Sequence, residues 1–169
     1  MKLALDVQYD DAADSALAAG VIFRGWADSG PTAELLYSHV GLEPYEPGQF
    51  FRRELPCVLP LIARARETWP IHTIIVDSYV DLGESAGLGR HVFNALNGEV
   101  AVIGVAKTRY SGSTPTLAER GSSRHPLYIT ATGDPEMAAQ RVLWMHGDHR
   151  IPTLLRQVDQ LARGLRQPA

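Results

Sequence analysis

Two short apolar runs constrain this chain more than any other feature. IHTIIVD at 71–77 and VAVIGVA at 100–106 are continuous rather than alternating, and a helical segment at 86–96 separates them. Asp77 ends the first run and Lys107 follows the second. Runs of this kind are the pattern of strands buried on both faces. Strands that alternate with helices tend to pair in parallel, with helices covering both faces of the sheet.

The N-terminal part follows a different rule. In KLALDVQY at 2–9, Leu3, Leu5, Val7 and Tyr9 share one face, and Lys2, Ala4, Asp6 and Gln8 share the other. That period of two predicts a half-buried strand. Residues 16–26 predict a second strand. Residues 33–40 predict a third strand or a short helix, and the tight ADSGP connection at 27–31 favours an antiparallel meander. After the PYEPG corner, the spacing of Leu55, Val58, Leu59, Ile62 and Ala63 predicts a helix over 51–68, irregular near its start because of Pro56 and Pro60.

A loop rich in Gly, Ser and Thr covers about 108–124. HPLYITA at 125–131 predicts another strand, parallel to the two apolar runs. Asp134 as N-cap and Pro135 behind it open a helix to about 146, and 152–165 form a last helix. The expected fold class is α/β: a mixed sheet, antiparallel meander plus parallel strands, with helices on both faces. The 169 residues suit a single domain over 1–169.

Several function classes drop out. Cys57 is the only cysteine, so an internal disulfide and a Cys-based zinc cluster are excluded. The histidines form no HxxxH pair, and neither a Walker motif nor GxGxxG is present. No apolar run approaches the roughly 20 residues of a membrane span. No signal peptide opens the sequence, so the expected location is cytoplasmic with no membrane partner. The net charge of −3 counts against a nucleic-acid partner unless the acids are offset by bound cations.

The acids themselves are unusually placed. Asp6 sits mid-strand, where aspartate is disfavoured. Asp77 and Lys107 stand at the carboxyl ends of buried strands, where ligands sit in such sheets. Glu54 lies near the start of the preceding helix. If the first strand lies beside the Asp77 strand, Asp6, Glu54 and Asp77 meet at one end of the sheet. Carboxylates that close repel one another unless a cation shares them, and Mg²⁺ or Mn²⁺ favours such oxygen ligands. Lys107 can then contact a phosphate. Each residue also has a structural reading: a solvated edge-strand aspartate, a turn cap, a helix-dipole acid or a solvated strand end.

Taken in order, DVQY at 6–9, PYEPG at 44–48, RE at 53–54, IIVDS at 74–78, GLGRH at 87–91, IGVAKT at 103–108, PLYIT at 126–130 and HRIPTLLRQVDQLAR at 149–163 form one pattern. It resembles endonuclease V, the deoxyinosine 3′ endonuclease family, over nearly the whole chain. The resemblance implies an RNase H-like fold. It also implies Mg²⁺- or Mn²⁺-dependent hydrolysis of a phosphodiester near a deaminated or modified base, with DNA or RNA, inosine-containing or not, as partner.

Residue by residue, the resemblance makes Asp6, Glu54 and Asp77 metal-binding carboxylates and Lys107 a catalytic lysine. It makes Tyr45 an aromatic that wedges beside the lesion, and it places Arg53 close to the phosphate backbone. The family's Gly-His after PLYIT is replaced here by ATGDP, which makes Asp134 the candidate fourth carboxylate. The family's glycine-containing loop and His-Pro-Arg stretch after the strand-ending aspartate are replaced by DSYVDLGESAG at 77–87. That loop helps form the family's pocket for the flipped base, so an altered base specificity is expected. The competing expectations are a non-catalytic nucleic-acid-binding relative and an unrelated α/β protein whose acids are structural.

Overall fold

A seven-stranded sheet in the order β3-β2-β1-β4-β7-β9-β8 organises the chain. The computed structural model describes residues 1–47 and 49–168; Gly48, the last residue of PYEPG, lies outside them. β1 (Lys2–Asp10), β2 (Ser15–Phe23) and β3 (Ala33–Val40) form the expected antiparallel meander. β2 stops at Phe23 rather than 26 because the Asp28 carboxylate accepts the N–H groups of Arg24 and Gly25, at 3.1 and 2.7 Å, and closes a turn there.

α1 (Phe51–Thr68) follows the PYEPG corner. Pro56 and Pro60 lie inside it and remove two helical N–H donors. The helix continues because Cys57, Val58, Leu61, Ile62 and Ala65 form a buried stripe against the sheet. β4 (Thr73–Val76) is buried at every residue, as its continuous apolar run requires. A small hairpin of β5 (Asp81–Leu82) and β6 (Ser85–Ala86) precedes α2 (Leu88–Ala95). β7 (Ala101–Ala106) pairs in parallel with β4, and β4 pairs in parallel with β1.

β8 (Thr116–Ala118) lies in the segment expected to be loop, and it pairs with β9 (Leu127–Ala131). β9 is antiparallel to β7, with Ile103 opposite Ala131 and Ala106 opposite Tyr128. The expectation that β9 runs parallel to β4 and β7 is therefore corrected. No helix separates β7 from β9, so no crossover carries the chain back to the starting end of the sheet. α3 (Pro135–Leu143) and α4 (Thr153–Ala162) close the chain. The core has two layers: α1 and α2 cover one face, α3 and α4 the other. Among the described residues no helix is long and apolar enough to cross a membrane.

One glycine sets how the chain leaves β4. A Cβ on Gly104 would lie 2.5 Å from the Ser78 carbonyl, 2.6 Å from Thr130 Oγ1 and 2.8 Å from the Val80 nitrogen. Residues 78–80 therefore cross directly over β7. Val80 N–H donates to Thr130 Oγ1 at 2.8 Å, which pins the crossing. Gly104→Ala should destabilise the protein by about 2–3 kcal/mol, because backbone rather than a flexible side-chain end must yield. Thermal unfolding measures this, and a melting temperature equal to wild type would refute the crossing.

Candidate active site

Asp6 and Asp77 become neighbours through backbone pairing. Leu5 is opposite Val76 in the parallel β1–β4 ladder, so the next residue of each strand emerges at the same end. α4 brings a third acid. One carboxylate oxygen from each of Asp6, Asp77 and Asp159 lies within 4.8 Å of the others. Glu54 enters from the opposite face of the sheet on α1, and lines a cleft with Asp6, Val7, Asp77 and Leu88. The acids thus straddle the sheet edge, one helix contributing from each side. Lys107, just beyond β7, donates to Asp77 Oδ2 and lies 3.8 Å from Asp159 Oδ1.

The electrostatics follow from this crowding. Burial, then the charge of Asp77, pushes the Asp6 carboxyl up to about 6, against the opposing pull of the Val7 N–H at 2.8 Å and of Lys107. Burial, then the charges of Asp6 and Asp77, pushes Glu54 up to about 8. Burial works against the charged form of Lys107. Its hydrogen bond to Asp77 and the charges of Asp77, Asp6 and Asp159 outweigh this and hold its pKa above the ordinary value. A small apolar hollow lies under the acids, between the strand ends and α4, with Val76, Val105, Ile151, Leu155 and Val158 in its wall. Such walls weaken screening by water and strengthen every charge interaction at the rim.

The donor set suits a hard divalent cation. It is all oxygen, mutually repulsive and half-buried, and among the described residues the positive side chains paired with it are those of Lys107 and Arg163. Arg163 lies 3.1 Å from Asp159.

The other expected residues divide. Tyr45 is exposed, at 64%, and meets Phe50 edge-to-face at 6.2 Å. Phe50 in turn meets Tyr9 at 5.5 Å, so an aromatic row runs from β1 outward to Tyr45. Arg53, expected close to the phosphate backbone, is largely buried. Its side chain is only 7% exposed, it is ion-paired with Asp11, and its guanidinium packs 4.8 Å over Tyr9. It holds the start of α1 against the β1–β2 turn, and so helps to hold the neighbouring Glu54.

Asp134, expected as a fourth carboxylate, does not lie with Asp6, Asp77 and Asp159. β9 runs antiparallel to β7, so the residues after it emerge where β7 begins, at the far end of the sheet from Lys107. There Asp134 caps α3, accepting the N–H groups of Glu136 at 2.9 Å and Met137 at 3.3 Å. Asp159 takes the place expected of Asp134. Its signal in the sequence is slight: an acid bordering the Leu154, Val158, Leu161 and Ala162 stripe of α4.

Known structures share this arrangement of strands and helices. Endonuclease V from Streptomyces avermitilis is 24% identical, with a TM-score of 0.74 over 96% of this chain and 79% of that one. The catalytic domain of human endonuclease V is 22% identical, with a TM-score of 0.78 over 97% and 81%. Endonuclease V from Ciona intestinalis, in complex with a DNA containing an inosine followed by a ribo-adenosine, is 14% identical, with a TM-score of 0.80 over 97% and 84%. These likenesses show the RNase H-like fold. No curated protein matches at a significant level. The family model described as endonuclease V matches residues 3–146, most of the chain, and the chain belongs to the endonuclease V family.

Proposed function

We propose that this protein is a divalent-metal-dependent endonuclease that hydrolyses a phosphodiester near a deaminated or otherwise modified base in DNA or RNA. The observation that carries this reading is the convergence of Asp6, Asp77 and Asp159, with Glu54 beside them, at the carboxyl end of the central strands. Asp6, Glu54, Asp77 and Asp159 would hold Mg²⁺ or Mn²⁺. Such an ion, when bound, activates water and offsets charge on the phosphodiester oxygens. Lys107 brings a fixed positive charge to the same edge, in reach of a phosphate oxygen. Tyr45, exposed on its aromatic row, presents a ring face on which a base can stack.

Support for an altered base preference lies in the 78–86 segment. The buried Tyr79 donates its hydroxyl proton to the Thr108 carbonyl at 2.9 Å and accepts the Tyr110 N–H at 3.0 Å. Asp81 takes a two-pronged contact from Arg90, at 2.9 and 2.7 Å. These contacts fill and stiffen the wall that replaces the family's glycine-containing loop.

The decisive assay uses labelled single- and double-stranded oligonucleotides, with and without one inosine, incubated with Mg²⁺ or Mn²⁺ beside an Asp6→Ala variant. Inosine-dependent nicking that disappears in the variant is the expected result. Nicking that needs metal but ignores inosine would mean a retained nuclease with another specificity. No nicking on any substrate, together with no heat of Mn²⁺ binding in calorimetry, would overturn the enzymatic reading in favour of a binding-only relative.

A second prediction comes from the raised carboxyl pKa values. Asp6 and Glu54 titrate higher when folded, about 6 and about 8, than their ordinary 3.8 and 4.5. Their contribution to stability is fully present below the ordinary values and is lost as pH rises through the folded ones. The metal-free protein should therefore lose stability between about pH 5 and pH 8. Asp6→Asn should flatten that fall and raise the melting temperature near pH 8 by roughly 3–6 °C, equivalent to about 1–2 kcal/mol. Mn²⁺ should stabilise the wild type more than the variant, most strongly at the alkaline end. A variant that melts at or below the wild-type temperature would mean that these acids are structural.

A further inference from the structure

Beyond the acids, the same end of the sheet carries arginines that have no acidic partner. Arg109, two residues after Lys107, is exposed and has neither an ion pair nor a hydrogen-bond partner among the described residues. Arg150 donates to the backbone carbonyls of Lys107 and Pro126, again with no carboxylate, and its Nε is buried without a partner. Arg124 is exposed in the segment leading into β9. Because β9 starts opposite the end of β7, that segment lies at the Lys107 end of the sheet. Other arginines meet acids, as Arg66 does Glu99, Arg90 does Asp81 and Arg166 does Glu34, while Arg64 on α1 is exposed and in no ion pair among the described residues.

A groove opens beside this charge. Arg109, Ser113, Thr114, Leu117 and Tyr128 are among its walls. The wall is held in place. Tyr79 ties down Thr108 and Tyr110. The Ser113 hydroxyl donates to the Asp81 carbonyl and accepts the Gly83 N–H, both at 3.1 Å. Gly83 has a positive φ of 65°, and a Cβ there would lie 2.5 Å from the Gly112 carbonyl, so the two loops touch backbone to backbone. Tyr110, next to Arg109 in the chain, is 43% exposed.

An unpaired guanidinium, hydroxyl groups and the half-buried Tyr128 ring along a groove are chemistry that suits a nucleic-acid strand, with arginine on phosphate and a ring on a base or sugar. We propose that the 107–116 segment and its groove form a subsite for the nucleic-acid strand flanking the cleaved bond, with Arg109 as its phosphate contact. This rests on the nuclease reading for what happens at the acids, but strand binding can be measured without cleavage. Arg109, Arg124 and Arg150 give this end of the sheet a local positive charge despite the net charge of −3, and a strand that leaves the acidic site would meet it.

The test is fluorescence anisotropy of labelled single- and double-stranded oligonucleotides, DNA and RNA in parallel, with Ca²⁺ in place of Mg²⁺ and across a range of salt. Arg109→Ala should weaken binding by roughly three- to tenfold and reduce the slope of log affinity against log salt by about 1. Arg64→Ala removes the same charge from an exposed position on α1 and is the control, expected to change neither quantity. Where the wild type cuts, Arg109→Ala should raise KM with kcat retained. Unchanged affinity and slope in Arg109→Ala, equal losses in both variants, or a wild type that binds no oligonucleotide would each overturn the subsite. A wild type that binds but does not cut, with affinity still lost in Arg109→Ala, would uphold the subsite and overturn the nuclease reading alone.

Discussion

Parallel pairing of β1 with β4 is the constraint on which the site depends. The ladder sets Leu5 opposite Val76, and Asp6 and Asp77 follow side by side at the end of two buried strands. Neither acid can move away without breaking the central hydrogen bonds of the sheet. The repulsion between them is therefore built into the fold rather than relaxed by it, and after burial, the larger cause, it raises the pKa of Asp6. Crowded carboxylates of this kind are the chemistry that the proposed divalent cation would offset.

The two layers of helices complete the arrangement in different ways. α1 reaches the edge from one face and delivers Glu54, held by the burial of Arg53 between Asp11 and Tyr9. α4 reaches it from the other face and delivers Asp159, while its apolar stripe closes the hollow under the acids. Lys107 spans both sides of the charge balance through Asp77 and Asp159. The acidic edge is thus the meeting point of three strand ends and two helices. A shift in any one of them changes the spacing of charges in a poorly screened place.

The loops around this edge are fixed by backbone crossings and buried hydroxyl groups. The 78–86 segment leaves β4 across Gly104, packs its hairpin against the 107–113 loop and is closed by the Tyr79 and Ser113 hydroxyls. The same contacts leave Arg109 without a partner among the described residues and at the wall of a groove.

Most of the element pattern was legible in the residues. Period-two alternation marked β1, continuous apolar runs marked β4 and β7, and the Asp134-Pro135 pair marked the start of α3, because each of these signals is local. The grouping of Asp6, Glu54 and Asp77 with Lys107 was legible too, since motif order and strand ends imply it. By itself, then, the sequence determined the strands, the helices and which acids stand at strand ends. Tertiary structure alone decided the direction of β9, which sends Asp134 to the far end of the sheet. It also decided the arrival of Asp159 through the packing of α4, and the burial of Arg53 against Asp11. Those depend on pairing and packing between segments distant in the chain, and no local periodicity encodes which partner a strand or a charge will meet.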